Sequence, residues 1–217
     1  MANINATPGE SHLAHHFVDS EQQFDSSKLG MWIFLVTEVL FFGGLFVAYI
    51  VYRSWNPELF YMSAKELSTI MGAINTVVLI GSSLTIALAV RAAQLNQQAN
   101  ISRYLIATIL LACVFLVIKY FEYTSKFAVG ILPGELYTYT GIDHPGAPIF
   151  FSIYYMMTGL HGIHVIIGIG LMVYLLVKTR QGSYNAAYFT PVEITALYWH
   201  LVDLIWIFLF PLLYLIE

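Results

Sequence analysis

Charge is what this 217-residue chain has least of: Asp, Glu, Lys and Arg make up 10% of it, against about a quarter in soluble domains. With 59% hydrophobic residues and a mean hydropathy of +0.72, that scarcity excludes a soluble domain and describes an integral membrane protein. The charges present sum to −4 and form no long run of either sign, which leaves neither a nucleic-acid footprint nor a polybasic lipid-binding tail. A single cysteine, Cys113, rules out an internal disulfide, a CxxC redox motif and a thiolate-bound cluster. Lying in an apolar helix, it reads as a small core residue. No apolar signal region precedes the first hydrophobic run. Residues 1–28 are polar, with His12, His15, His16 and four acids ahead of Lys28. Three histidines without a Cys or carboxylate framework favour a solvated N-terminal tail over a metal site. An internal repeat is also missing, which argues against an inverted-repeat transporter.

What the chain does have is five apolar runs of membrane-spanning length, at about 29–52, 70–90, 101–121, 149–177 and 192–216. They predict an all-α fold, an integral membrane bundle of five transmembrane helices over residues 29–217 behind the tail. Five spans put the termini on opposite sides. Lys28, Arg91, Arg103, Lys178 and Arg180 gather on the N-terminal side, against Arg53, Lys65 and Lys126 on the other, so the N-terminus is expected in the cytoplasm. The longest connection, 127–148, is rich in Gly, Pro and Tyr and reads as an ordered external loop, with Pro148 suited to a helix first turn. Gly44 with Ala48, Ser83 with Ala87, and Gly159 with Gly162 would flatten helix faces for packing within the bundle. Trp32, Trp55, Tyr184 and Tyr188 fall near span ends, where amphipathic rings anchor depth.

Ionisable groups inside the spans are the candidates for function, because a charge near the bilayer centre costs roughly 3–17 kcal/mol and needs a partner. Glu38 lies roughly 14 Å along the first helix from Leu29, near mid-depth. Desolvation there favours a neutral carboxyl unless a cation or several donors hold it charged. It is either a protonated structural group bonded to a neighbouring helix or a proton-exchanging one. His161 and His164, three residues apart, share a helix face. They read as a satisfied hydrogen-bonding pair, with metal or haem ligation as the alternative. His200 and Asp203 repeat that spacing on the last span, with Glu193 two turns earlier. Asp203 would fix the His200 tautomer, or either would pair with another helix or subunit. Lys119 is expected to snorkel outward and pair with Glu122, whose spacing to Lys126 is also favourable.

In order along the chain stand Gly30-Met31-Trp32-Ile33-Phe34, Thr37-Glu38-Val39-Leu40-Phe41-Phe42, Asn75-Thr76 with Ser82-Ser83, Thr158-Gly159-Leu160-His161-Gly162-Ile163-His164-Val165, and Tyr198-Trp199-His200-Leu201-Val202-Asp203-Leu204-Ile205-Trp206. Together they resemble subunit III of the haem-copper oxidases, the respiratory terminal oxidases, from Lys28 onward. The resemblance implies a non-catalytic core subunit of a proton-pumping oxidase of aerobic electron transport, which reduces oxygen to water. It also implies that haem and copper belong to partner subunits, with neither in this chain. Partners would be the catalytic subunit I, subunit II, small subunits and membrane lipid including bound phospholipid, in a bacterial cytoplasmic membrane. In the family this subunit is associated with maintaining proton uptake and protecting the catalytic subunit during turnover. Glu38 matches the family's buried glutamate, and His161, His164, His200 and Asp203 its intramembrane motif positions; none is thereby catalytic. The long form has two further N-terminal helices forming one side of a lipid-holding cleft; here a polar tail replaces them, matching the short five-span form. The competing readings are a free-standing proton or ion transporter using Glu38, His200 and Asp203, and a haem carrier using His161 or His164 with His200.

Overall fold

The computed structural model describes residues 13–186 and 188–216. It is all-α: α1 (Ser20–Trp55), α2 (Pro57–Ala64), α3 (Thr69–Gln94), α4 (Gln98–Ala128), α5 (Ala147–Arg180) and α6 (Thr190–Tyr214). Every helix but α2 is long and apolar enough to cross a membrane. His12 lies outside the described residues.

The helices overrun the hydropathy-based spans, because a helix continues beyond the oil wherever its ends are capped. α1 starts at Ser20, so residues 20–28, expected as tail, are helical. Asp19 Oδ1 accepts the Gln22 backbone N–H at 2.7 Å, and Gln22 Oε1 accepts from Val18 N at 2.9 Å. That reciprocal cap starts the helix on polar residues. At its other end Pro57 opens α2, a short helix that packs on α5 and buries Leu59 and Phe60. Pro148 and Pro191 occupy the first turns of α5 and α6, where a missing N–H costs nothing.

Buried positions on α3 run Asn75, Leu79, Ser82, Ile86, Ala89, Ala93, and on α4 Ile101, Leu105, Thr108, Ala112, Phe115, Lys119, Glu122, Lys126. Both alternate steps of four and three, the repeat that lets two helices interlock along a left-handed seam. Cys113, expected in the core, sits one residue off the α4 seam and is exposed on the outer face. α6 is the central helix, touching α1, α3 and α5, with 56% of its most apolar stretch buried against 17% for the peripheral α1.

The small residues that permit this packing differ from those expected. A Cβ on Gly44, Gly159 or Gly162 would meet nothing within 4 Å, so those faces are open. The close approaches are at Gly72 of α3, under Phe210, and Gly168 of α5, under the Trp199 ring. Of the expected anchors, Trp32 and Trp55 are exposed but Tyr184 is buried in the α5–α6 connection.

The 127–148 connection is ordered by hydrogen bonds within itself and to α5. Thr138 N donates to Gly130 O at 2.9 Å, Tyr155 Oη to Ile131 O at 2.8 Å, and Gly134 N to Ser152 Oγ at 2.9 Å. Tyr139 Oη donates to Glu66 Oε1 at 3.2 Å, and the negative charge of Glu66 holds that phenol above its ordinary range.

Candidate functional site

The expected intramembrane residues separate into three sets. The first joins α1 to α5. His164 Nε2 lies 3.1 Å from Glu38 Oε2, and His164 Nδ1 lies 2.8 Å from the Leu160 carbonyl. A carbonyl only accepts, so Nδ1 carries a hydrogen and donates. Nε2 and Glu38 Oε2 therefore share one proton: a neutral carboxyl donates to bare Nε2, or a protonated imidazole donates to a carboxylate. Both forms are net neutral, which is the condition for a titratable pair in oil. The His164 and Glu38 side chains are 13% and 18% exposed, so the proton lies close to the outer face of the bundle. Phe42, 5.3 Å from the imidazole, packs edge-on against the ring, and the Tyr198 hydroxyl donates to the His164 backbone carbonyl at 3.0 Å.

His161 does not pair with His164. It is fully buried between Phe115 and Trp206, ring centroids 5.4 and 5.3 Å away, and neither nitrogen finds a hydrogen-bonding partner among the described residues. The reading of two satisfied histidines fails for this one, because one turn of α5 separates the polar edge facing α1 from the aromatic centre of the bundle.

The second set lies between α3 and α6. His200 Nδ1 is 2.7 Å from Ser83 Oγ, so a hydroxyl on α3 orients the imidazole, and Asp203 does not. The Asp203 carboxyl is buried beside the same Ser83 hydroxyl, and among the described residues neither of its oxygens makes a well-formed hydrogen bond. Alongside, Trp199 Nε1 donates to Ser82 Oγ and Trp206 Nε1 to Thr76 Oγ1, each at 3.0 Å. These bonds account for Thr76, Ser82 and Ser83, whereas the fully buried Asn75 amide has no hydrogen-bond partner among the described residues. Glu193 belongs elsewhere, in a 2.9 Å ion pair with Lys28 at the α1–α6 end.

The third set corrects the expectation for Lys119. Instead of reaching outward, its ammonium is buried 2.8 Å from Glu122 Oε2, and it donates to Tyr154 Oη at 3.0 Å and Tyr214 Oη at 2.9 Å. Both phenols donate in turn to Glu122 Oε1, at 3.0 and 2.8 Å. All three ammonium hydrogens and both carboxylate oxygens are engaged, and α4, α5 and α6 are tied at one point. The partners from α5 and α6 lie 32 and 92 residues from Glu122, which no local spacing displays. Lys126 also turns inward, to the Glu66 carbonyl at 2.5 Å, rather than to Glu122.

Among the described residues no three His, Cys, Asp or Glu side chains converge as a metal site. Among the three sets, Glu38–His164 is the acid–imidazole contact, and both of its side chains remain partly exposed at the surface of the bundle.

The family model described as cytochrome c oxidase subunit III matches residues 10–217. A cytochrome c oxidase subunit 3 from Synechocystis sp. is 34% identical over 99% of this chain and 83% of its own length. One from Thermostichus vulcanus is 34% identical over 89% of each chain. A protein of Aeropyrum pernix named heme-copper oxidase subunit I+III is 29% identical over 88% of this chain and 23% of its own length. A match over almost the whole length, joined to five spanning helices, means that the chain belongs to the cytochrome c oxidase subunit III family.

Proposed function

We propose that this subunit III is a non-catalytic partner of the oxidase's catalytic subunit I, and that it sustains proton uptake through the Glu38–His164 pair. Subunit II and small subunits would complete the complex, which holds the haem and copper. The observation that carries the reading is the 3.1 Å contact between Glu38 Oε2 on α1 and His164 Nε2 on α5, close to the outer face of the bundle. Such a pair can exchange its proton or set a local field while remaining net neutral. Pairing with subunit I is supported by the Aeropyrum pernix relative, whose name joins I and III. The excess of Lys and Arg at the N-terminal ends of the bundle supports a cytoplasmic N-terminus in a bacterial inner membrane. A groove of about 380 Å³ between α1 and α6, lined by Trp32, Leu35, Val39, Leu201 and Leu204 with His200 at its wall, supports bound phospholipid.

Glu38→Gln keeps the shape and a hydrogen bond to His164 but removes the exchangeable proton. The oxidase carrying it is expected to assemble normally and to lose activity severalfold sooner during continuous turnover, or to pump fewer protons per electron. Undiminished activity and pumping through extended turnover would refute the proposal. A free-standing relay or a haem carrier using these histidines is disfavoured by the family match, which covers residues 10–217. The full chain separated from its partners is therefore expected to show no haem absorbance and no stoichiometric metal; a Soret band would reverse that conclusion.

A further inference from the structure

Two polar side chains in the middle of the bundle are buried without a hydrogen-bond partner among the described residues. Asn75 on α3 and His161 on α5 are both 0% exposed, and neither amide atom of the one nor either nitrogen of the other is engaged. We propose that they form a binding site for water, in which ordered molecules join the Asn75 amide to the His161 imidazole beside Trp206. The site is separate from the Glu38–His164 contact and independent of any role for it.

Helix register puts the two groups at one height. Trp206 of α6 reaches both helices: its Nε1 donates at 3.0 Å to Thr76, the residue after Asn75, and its ring lies 5.3 Å from the imidazole. Asn75 shares the buried face of α3 with Gly72, packed under Phe210, and with Ser82, which accepts from Trp199 Nε1. Lying between those two contacts, it faces the stretch of α6 that His161 faces from α5. Phe115 of α4, 4.9 Å from Trp206 and 5.4 Å from His161, adds a further wall.

The other polar groups at this level are spent. Thr76 holds the Trp206 indole, and the Lys119 hydrogens and Glu122 oxygens are consumed with Tyr154 and Tyr214. What remains is a neutral imidazole with one N–H and one bare nitrogen, and an amide with two hydrogens and an oxygen. That set has donors and acceptors but no charge, so it calls for a small neutral ligand that both donates and accepts. A metal ion would leave the N–H groups unanswered and would meet the Lys119 ammonium, 5.4 Å from the Trp206 ring. An anion would leave the bare nitrogen and the amide oxygen unanswered. Polar groups kept dry in a bundle surrounded by oil are costly, and water held by several polar partners removes that cost. The two ring nitrogens lie on different edges of the imidazole, so a single molecule cannot serve both.

A crystal structure of the assembled oxidase, at a resolution that shows ordered water, tests the site. Density should stand about 2.7–3.2 Å from both His161 nitrogens and from the Asn75 amide. Asn75→Leu and His161→Phe keep the side-chain shapes, and each should remove the density shared with the other residue. Each should also lower the thermal unfolding temperature of the oxidase. The double variant should unfold no lower than the worse single, because both groups bind the same water. Additive losses, or density at only one of the two groups, would overturn the shared site. So would a wild-type map in which Asn75 and His161 bond each other directly, or in which the imidazole N–H points at Phe115 with no density beside it. An anomalous signal at the site would replace water by a metal ion. The wild-type density decides between these outcomes even if a variant fails to assemble.

Discussion

Glu122→Ala is expected to destabilise the folded subunit by about 3–5 kcal/mol, the range for breaking a buried ion pair from one side. It leaves the Lys119 ammonium enclosed by two phenols and no negative charge, in a position only 7% exposed. Both phenols also lose their acceptor at Glu122 Oε1. Most of the expected cost is the stranded charge rather than the intrinsic strength of the pair. The double variant Lys119→Met, Glu122→Leu should therefore be more stable than Glu122→Ala alone, since no ion remains to be desolvated. Glu122→Gln should fall between, because its amide oxygen still accepts from Tyr154 and Tyr214 without neutralising the lysine. Unfolding of the detergent-solubilised subunit, followed by tryptophan fluorescence, would separate the three. If single and double variants unfold together, the ionic account of this junction is wrong.

The same junction shows where the sequence could be read and where it could not. Five spans are legible because length and apolarity report directly on crossing a hydrocarbon layer. Which face of each span looks inward is far less legible, because lipid-facing residues are as apolar as core residues. Cys113, exposed, and Ala112, fully buried, are adjacent and indistinguishable by hydropathy. The informative signal was the polar residues. Asn75 and Ser82 fall on the buried face of α3 and Thr108, Lys119, Glu122 and Lys126 on that of α4, and their steps of three, four, seven and eleven trace those faces. By sequence alone Lys119 points outward, because a long side chain near a span end can snorkel. Its actual partners are tyrosines on two other helices, which only the folded bundle brings together. Glu38 and His164 were each identifiable as costly intramembrane groups, but their mutual bond spans 126 residues and follows from how α1 lies on α5. His161 shows the converse: the motif spacing suggested a pair, whereas one helical step carried it into an aromatic cage.

Glycine gives the second large effect, because the bundle uses it where side-chain volume, not polarity, decides packing. At Gly168 a Cβ would lie 2.6 Å from two atoms of the Trp199 ring and 3.4 Å from Tyr198. Trp199 cannot easily yield, being fully buried and held by its Nε1 bond to Ser82 Oγ. Gly168→Val is thus expected to cost about 1–3 kcal/mol through overpacking. Because the displaced ring is bonded to α3, the disturbance should spread from the α5–α6 contact to the neighbouring Ser83–His200 bond. Gly159→Ala, on the same helix, meets nothing within 4 Å and relieves the backbone entropy of a helical glycine, worth about 0.5–1 kcal/mol. It should leave the isolated subunit as stable or slightly more so. Comparing thermal unfolding of the two variants in the same detergent tests whether α6 seats on α5 at Gly168. The seating is disproved if Gly168→Val unfolds with wild type, or if Gly159→Ala is the more damaging change. A Gly159→Ala subunit that is stable alone but fails to join the oxidase would identify its open face as a surface for a neighbouring subunit, since only there would the added methyl find something to strike.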